Sequence, residues 1–220
     1  VKPEGEVVAA LPSFGNENFI PWKSDNYCSQ MNLLVYDFLI YIDEVNRNFI
    51  SGLAESWEMS PDALTLTYHL RQGIQFTDGW GEMTSEDVKF TLDKQKKSPV
   101  GISNTRQIAS MDTPDNYTLV IHFKTAQPTF FMALTPGNGA SMQGIVCKKY
   151  IETVGEQVAG QKPVGSGPYR LAESKLGTYY KFEAQDSHWR VVPEFKNLTI
   201  RMVPEVSTTV AMLKTKEIDL

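Results

Sequence analysis

The chain has 220 residues, a formal net charge of −5, 41% hydrophobic residues and 21% charged residues. Length and composition fit one large globular domain or two small ones. The acidic balance and the lack of a basic run give nucleic-acid binding no electrostatic support, and no stretch reaches the roughly 20 apolar residues that span a bilayer. Val1-Lys2-Pro3-Glu4 lacks the charged start and apolar core of a signal peptide. A cytosolic protein and an exported one whose signal has been removed both remain open at this point.

In chain order, Glu6–Leu11 is a short apolar run and predicts a buried strand. A loop from Pro12 to Pro21 contains Gly15, Asn16 and Asn18. Helical spacing at Tyr27, Met31, Leu34, Val35 and Phe38 predicts a helix over about 25–39, capped by Ser24 or Asp25. Ile40–Asp43 predicts a strand and Asn46-Arg47-Asn48 a turn. From Leu64 to Leu70 apolar and polar residues alternate, with Leu64, Leu66, Tyr68 and Leu70 on one face. Ser60-Pro61-Asp62 supplies the turn before that strand. Arg71-Gln72-Gly73 and Asp78-Gly79 break the chain again. Thr84 is a helix N-cap with Asp87 three residues on, and Met83 and Val88 stand where a hydrophobic staple pairs. The helix runs to about Lys97, with Val88 and Leu92 on one face, and stops at Ser98-Pro99. Its basic residues Lys94, Lys96 and Lys97 read as a solvated helix end.

Ile108–Pro114 predicts a strand and turn, and Tyr117–Lys124 a strand with Leu119, Ile121 and Phe123 on one face. Pro128–Leu134 predicts a short apolar helix. The loop from Thr135 to Ser141 carries two glycines and offers backbone amides to a ligand, or is an ordinary connector. Ile145–Cys147 predicts a strand edge and Lys148–Val154 a helix. In Pro163-Val164-Gly165-Ser166-Gly167-Pro168-Tyr169, the glycines permit unusual backbone angles and a strand begins at Tyr169. Further strands are expected at Tyr179–Ala184 and Leu198–Val203, then a helix capped by Ser207. Lys216 stands where glycine usually terminates a helix.

Enzyme chemistry is weakly supported. His69 and His122 fall on polar strand faces, and His188 adjoins Trp189. Ser166 sits between glycines without the spacing of a nucleophile elbow. Metalloprotease, C-x-x-C and phosphate-loop motifs are absent from the sequence. Glu55, Glu86 and Asp87 read as solvated or capping residues. Cys28 and Cys147 lack metal-ligand spacing; two buried free thiols and a disulfide are both open.

Several ordered segments resemble one family. These are Gly52-Leu53-Ala54-Glu55-Ser56-Trp57, His69-Leu70-Arg71-Gln72-Gly73, Phe76-Thr77-Asp78-Gly79, Ser85-Glu86-Asp87-Val88-Lys89-Phe90 and Pro163-Val164-Gly165-Ser166-Gly167-Pro168-Tyr169. The His188-Trp189 pair and the closing Glu217-Ile218-Asp219 add to them. Together they resemble the family 5 extracellular solute-binding proteins, the peptide-, dipeptide- and nickel-binding receptors of bacterial ABC importers. One departure is that the link Trp80-Gly81-Glu82-Met83 is a residue longer than the family's usual link.

The resemblance implies a mixed α/β fold: the first lobe of a type II periplasmic-binding-protein architecture with an inserted α/β subdomain, the second lobe being missing from this N-terminal portion. Residues 1–50 and 163–220 are expected to form the sheet domain of that lobe, and 51–162 the insertion. It also implies hinge closure on a peptide or similar small solute, an ABC permease as partner, and a periplasmic or extracellular location, free or lipid-anchored. No cofactor, metal or catalytic residue is expected. From the resemblance, the loop carrying Phe14, Asn16, Asn18 and Phe19 is the leading candidate for the ligand wall. Its aromatics would stack on a ligand and its amides bond one; the competing reading tucks both phenylalanines into the core. Trp80 and the loop residues Gly139, Ser141 and Met142 are further candidates. A protein-interaction module without solute binding, and a hydrolase using Ser166, remain alternatives.

Overall fold

Period-two alternation builds the strands that carry the core. In β5 (Thr65–Leu70) the side chains of Leu66, Tyr68 and Leu70 are buried, and in β9 (Thr118–Phe123) so are Leu119, Ile121 and Phe123. The two strands pair antiparallel with Leu66 opposite Ile121 and Tyr68 opposite Leu119, so one face of the pair is apolar. The computed structural model describes residues 2–43, 45–99, 103–136 and 144–220.

Two four-stranded sheets result. The first has the order β1 (Glu6–Leu11), β12 (Asn197–Met202), β11 (Tyr179–Ala184), β10 (Tyr169–Lys175). Its β1 runs parallel to β12, while the other pairs are antiparallel. The second sheet has the order β4 (Ala54–Met59), β5, β9, β8 (Ile108–Asp115), all antiparallel. Two small hairpins, β2 (Ile40–Ile42) with β3 (Phe49–Ser51) and β6 (Gln75–Phe76) with β7 (Gly81–Glu82), complete the strands. The helices are α1 (Asn26–Val35), α2 (Ser85–Lys97), α3 (Lys148–Gln161) and α4 (Val206–Thr215). One hydrophobic cluster joins Tyr180, Phe182 and Ile200 of the first sheet to Leu66, Tyr68 and Ile121 of the second. A second, of Val203, Met212 and Ile218, lies under α4. Among the described residues, no helix is long and apolar enough to cross a membrane.

The start of α2 follows its sequence signals. The Thr84 backbone N–H donates to Asp87 Oδ2 at 2.9 Å, and Met83 and Val88 are fully buried as a staple pair. Asp87 also accepts the Lys148 N–H at 2.8 Å, so one carboxylate serves the first turns of both α2 and α3.

Other segments depart from expectation. The predicted helix over 25–39 ends at Val35, and its buried face is Cys28, Met31, Asn32 and Val35, with Tyr27 exposed. Asp25 caps it, accepting from Tyr27 N and Cys28 N. Leu64 lies outside β5 and is exposed. Ile145–Cys147 is not a strand. It is a buried connection whose N–H groups go to Asp37 O and the Thr91 hydroxyl, not to a neighbouring strand. The expected helix Lys148–Val154 stops where Gly155 is non-helical, at φ +81° and ψ +156°, and a second helical segment carries α3 on to Gln161. Residues Phe130–Leu134 form a 3₁₀ turn. Glu205, not Ser207, occupies the N-cap position of α4. Lys216 does close α4 in the left-handed conformation, φ +58°.

The glycines of the Gly165-Ser166-Gly167 segment are needed for closeness, not for unusual angles. Neither has a positive φ. A Cβ on Gly165 would lie 2.1 Å from the Val35 carbonyl oxygen, and one on Gly167 would lie 2.5 Å from the Val35 carbonyl carbon. The segment packs backbone to backbone on the end of α1, where Gly167 N donates to Val35 O at 2.8 Å.

Candidate ligand-binding site

The loop between β1 and α1 is pinned from several sides. Asn16 donates its backbone N–H to Asp25 Oδ2 at 2.7 Å and its side-chain amide to Lys23 O at 2.6 Å. Asn18 Oδ1 accepts from Ile20 N at 3.0 Å. Phe19 N donates to Gly160 O in α3. Glu17 reaches the turn between β10 and β11, accepting from Gly177 N at 2.9 Å and from the Tyr180 hydroxyl at 2.8 Å. These contacts preorganise the loop. They also correct one expectation: Phe14 and Phe19 are 1% and 0% exposed, edge-on to Tyr180 at 4.9 and 5.4 Å, and cannot stack on a ligand from there. The exposed surface of this loop includes polar Asn16 and Lys23.

Beside it, Trp22 packs edge-on to Phe90 of α2 at 6.0 Å, and Lys94 lies over both rings. Glu156 accepts ion pairs from Lys23 at 2.6 Å and Lys94 at 2.7 Å, linking the loop to α2 and α3. Partial burial alone would raise the Glu156 carboxyl, but the hydrogen bonds and charges of the two lysines outweigh it and hold it down to about 2.

Behind the loop lies a buried polar centre on Asp37, which is 0% exposed. Its carboxylate accepts from the Tyr41 hydroxyl at 2.8 Å, Ser166 Oγ at 3.1 Å, His188 Nε2 at 3.1 Å and Trp189 Nε1 at 2.8 Å. Four donors, one local and three from distant segments, offset the cost of burying that charge. Burial and the neighbouring Asp37 charge push the Tyr41 phenol far above its usual range, and Arg190 covers its ring at 4.0 Å. Sequence reasoning singled out Ser166, His188 and Trp189 but missed Asp37. The available signal was an acidic residue inside the apolar run Tyr36-Asp37-Phe38-Leu39-Ile40.

This centre is not a nucleophile triad. Ser166 Oγ donates to Asp37 instead of to the histidine, and Ser166 is 4% exposed. His188 Nδ1 accepts from Arg190 N and Val191 N, so neither ring nitrogen is free to act as a base. The exposed pair of His122 Nε2 and Asp112 Oδ2, at 3.0 Å, has the Thr65 hydroxyl 3.4 Å from His122 Nδ1 on the face of the second sheet. Among the described residues, no group of three or more His, Cys, Asp or Glu could hold a metal ion.

Trp80 is half-buried and edge-on to Tyr150 of α3 at 4.8 Å. Gly139, Ser141 and Met142 lie outside the described residues. The structure brings together Phe14, Asn16, Asn18 and Phe19, as one short loop must, and both that loop and Trp80 contact α3. Cys28 and Cys147 are buried free thiols.

The sequence profile described as bacterial extracellular solute-binding proteins, family 5 Middle, matches residues 48–220. The oligopeptide-binding protein AppA of Bacillus subtilis is 27% identical over 203 residues, covering 90% of this chain and 37% of that protein. The dipeptide-binding protein of Escherichia coli is 24% identical over 206 residues, covering 83% of this chain and 38% of its own length. Among solved structures, AppA from Bacillus subtilis in complex with a nonapeptide superposes with a TM-score of 0.82 at 25% identity, over 99% of this chain and 44% of that one. MoaA from A. tumefaciens R10 in complex with mannopinic acid gives 0.88 at 23% identity, over 98% and 44%. The chain thus spans well under half the length of these relatives. With its mixed α/β architecture and a profile match over most of its length, this chain belongs to the family 5 bacterial extracellular solute-binding proteins.

Proposed function

We propose that the protein is the substrate-binding component of a bacterial ABC importer, capturing a peptide or similar small solute outside the inner membrane and delivering it to a permease. It acts as a receptor and not as an enzyme. The observation that carries this reading is the family match over residues 48–220 together with the superposition on peptide-bound AppA. In this reading the β1–α1 loop is one wall of the cleft, presented by Asn16, Asn18 and Lys23, and closure of a second lobe completes the site. The reading divides the chain into 1–50 with 163–220, and 51–162; that each four-stranded sheet draws its strands from one part supports the division, although β3 straddles the boundary and one core cluster runs through both. The hydrolase alternative has no support in the geometry of Ser166.

A thermal-shift screen of the complete gene product against dipeptides, oligopeptides, nickel chelates and oligosaccharides tests the reading. A rise in melting temperature with peptides supports it. A flat response to every class contradicts a receptor role.

A further inference from the structure

Asp25 gathers the β1–α1 loop and the start of α1 onto one carboxylate. Its Oδ2 accepts the Asn16 N–H at 2.7 Å, and its Oδ1 accepts the N–H groups of Tyr27 and Cys28 at 3.1 and 3.0 Å. Gly15, at φ +62°, leaves room for that carboxylate, since a Cβ there would stand 2.0 Å from Asp25 Oδ1. Asn16 in turn donates its side-chain amide to Lys23 O. Exposed Asn16, Lys23 and Tyr27 thus stand on backbone that these bonds hold in place. Tyr27 is the second residue of α1. A helical side chain leans toward the helix N-terminus, so that of Tyr27 leans toward the loop end of α1.

The fold makes no use of this ring. The chain has nine tyrosines. Tyr36 and Tyr68 are buried, and Tyr41, Tyr117, Tyr150, Tyr169, Tyr179 and Tyr180 each donate the hydroxyl to a carboxylate or a backbone carbonyl. Tyr27 is 46% exposed; among the described contacts its hydroxyl makes no hydrogen bond and its ring meets no aromatic or cationic neighbour. An aromatic body left in water forgoes the burial that usually stabilises such a side chain.

We infer that Tyr27 is the specificity-determining ring of the ligand wall and packs against an aromatic side chain of the captured peptide. Buried Phe14 and Phe19 cannot take that part. A tyrosine suits it, because its rigid ring offers a large contact face at little cost in conformational entropy. Asp25 is the positioning residue, holding Asn16 and the first turn of α1 together. The inference rests on the receptor reading and adds to it a preference for peptides with an aromatic residue.

The test uses the complete gene product labelled with 3-fluorotyrosine, the Tyr27 ¹⁹F signal being assigned by its absence in Tyr27→Phe. Ala-Phe-Ala should shift that signal saturably. In calorimetry it should bind roughly three- to tenfold more tightly than Ala-Ala-Ala, the range expected of one aromatic pair. Tyr27→Ala should bring the two peptides to equal affinity, and Tyr27→Phe, which keeps the ring, should retain the preference. A ¹⁹F signal that stays still while Ala-Phe-Ala binds, or a preference that survives in Tyr27→Ala, overturns the inference and leaves the receptor reading standing. Absence of binding by both peptides also overturns it; the receptor reading falls with it only if the wider thermal-shift screen is flat as well.

Discussion

The Trp189 indole N–H donates to Asp37 Oδ2 at 2.8 Å across 152 residues of sequence. That bond, with those from Ser166 and His188, ties the end of α1 to the two segments flanking β10 and β11. Replacing Asp37 by alanine leaves the Tyr41, Ser166 and Trp189 donors without their acceptor, while His188 Nε2 keeps only the Ser166 carbonyl at 3.1 Å. We expect Asp37→Ala to lose about 3 kcal/mol or more of stability in urea denaturation, because breaking a buried, hydrogen-bonded charge cluster is strongly destabilising. A loss below about 1 kcal/mol would contradict a structural role for this centre.

Gly165→Ala tests the close backbone approach. Its Cβ would stand 2.1 Å from the Val35 carbonyl, a backbone atom that cannot rotate away. Overpacking of this kind costs about 2 kcal/mol or more. Gly73→Ala, where nothing lies within 4 Å, is the contrasting case: there the strain comes from its φ of +77° alone. Comparing the two midpoints separates crowding from conformation.

Much of this fold can be read from the sequence. Leu66, Tyr68 and Leu70, and Leu119, Ile121 and Phe123, declare their strands because each strand has one dry face. Thr84 and Asp87 declare a helix start because both partners are local. Asp37 is different, since its partners Ser166, His188 and Trp189 lie more than 100 residues away and no local pattern encodes their meeting. Ile145–Cys147 misled for a related reason. An apolar run reports burial but not whether a neighbouring strand exists to receive its hydrogen bonds. The candidate wall rests on resemblance, and an aromatic side chain in a loop reads the same whether it faces solvent or core; Phe14 and Phe19 face the core.

Glu156 gives a pH dependence with a definite sign. Its carboxyl sits at about 2 when folded, against an ordinary 4.5. Between those values the unfolded chain binds more protons than the native one, so stability rises with pH. The contribution is fully present above pH 4.5 and is lost as pH falls toward 2. Glu156→Gln should flatten that part of the stability curve and speed hydrogen exchange at Asn16–Lys23. An unchanged curve would show that the lysine pairs contribute nothing.

The thiols should be inert in the native state. Burial first, with the nearby Asp25 and Glu17 charges adding, pushes Cys28 up to about 12, and burial also raises Cys147. Both should resist N-ethylmaleimide at neutral pH and react once denaturant is added. Rapid labelling of either thiol in the folded protein would contradict the burial described here.

Calorimetry with a graded set of peptides bears most directly on the central claim. The complete gene product should bind at least one peptide at a stoichiometry of one, and an Asn16→Ala, Lys23→Ala variant should bind it more weakly while still unfolding in one cooperative transition. Residues 1–220 alone, holding one wall of the cleft, should bind it poorly. No heat of binding from the complete product, or equally tight binding by residues 1–220, would contradict the account.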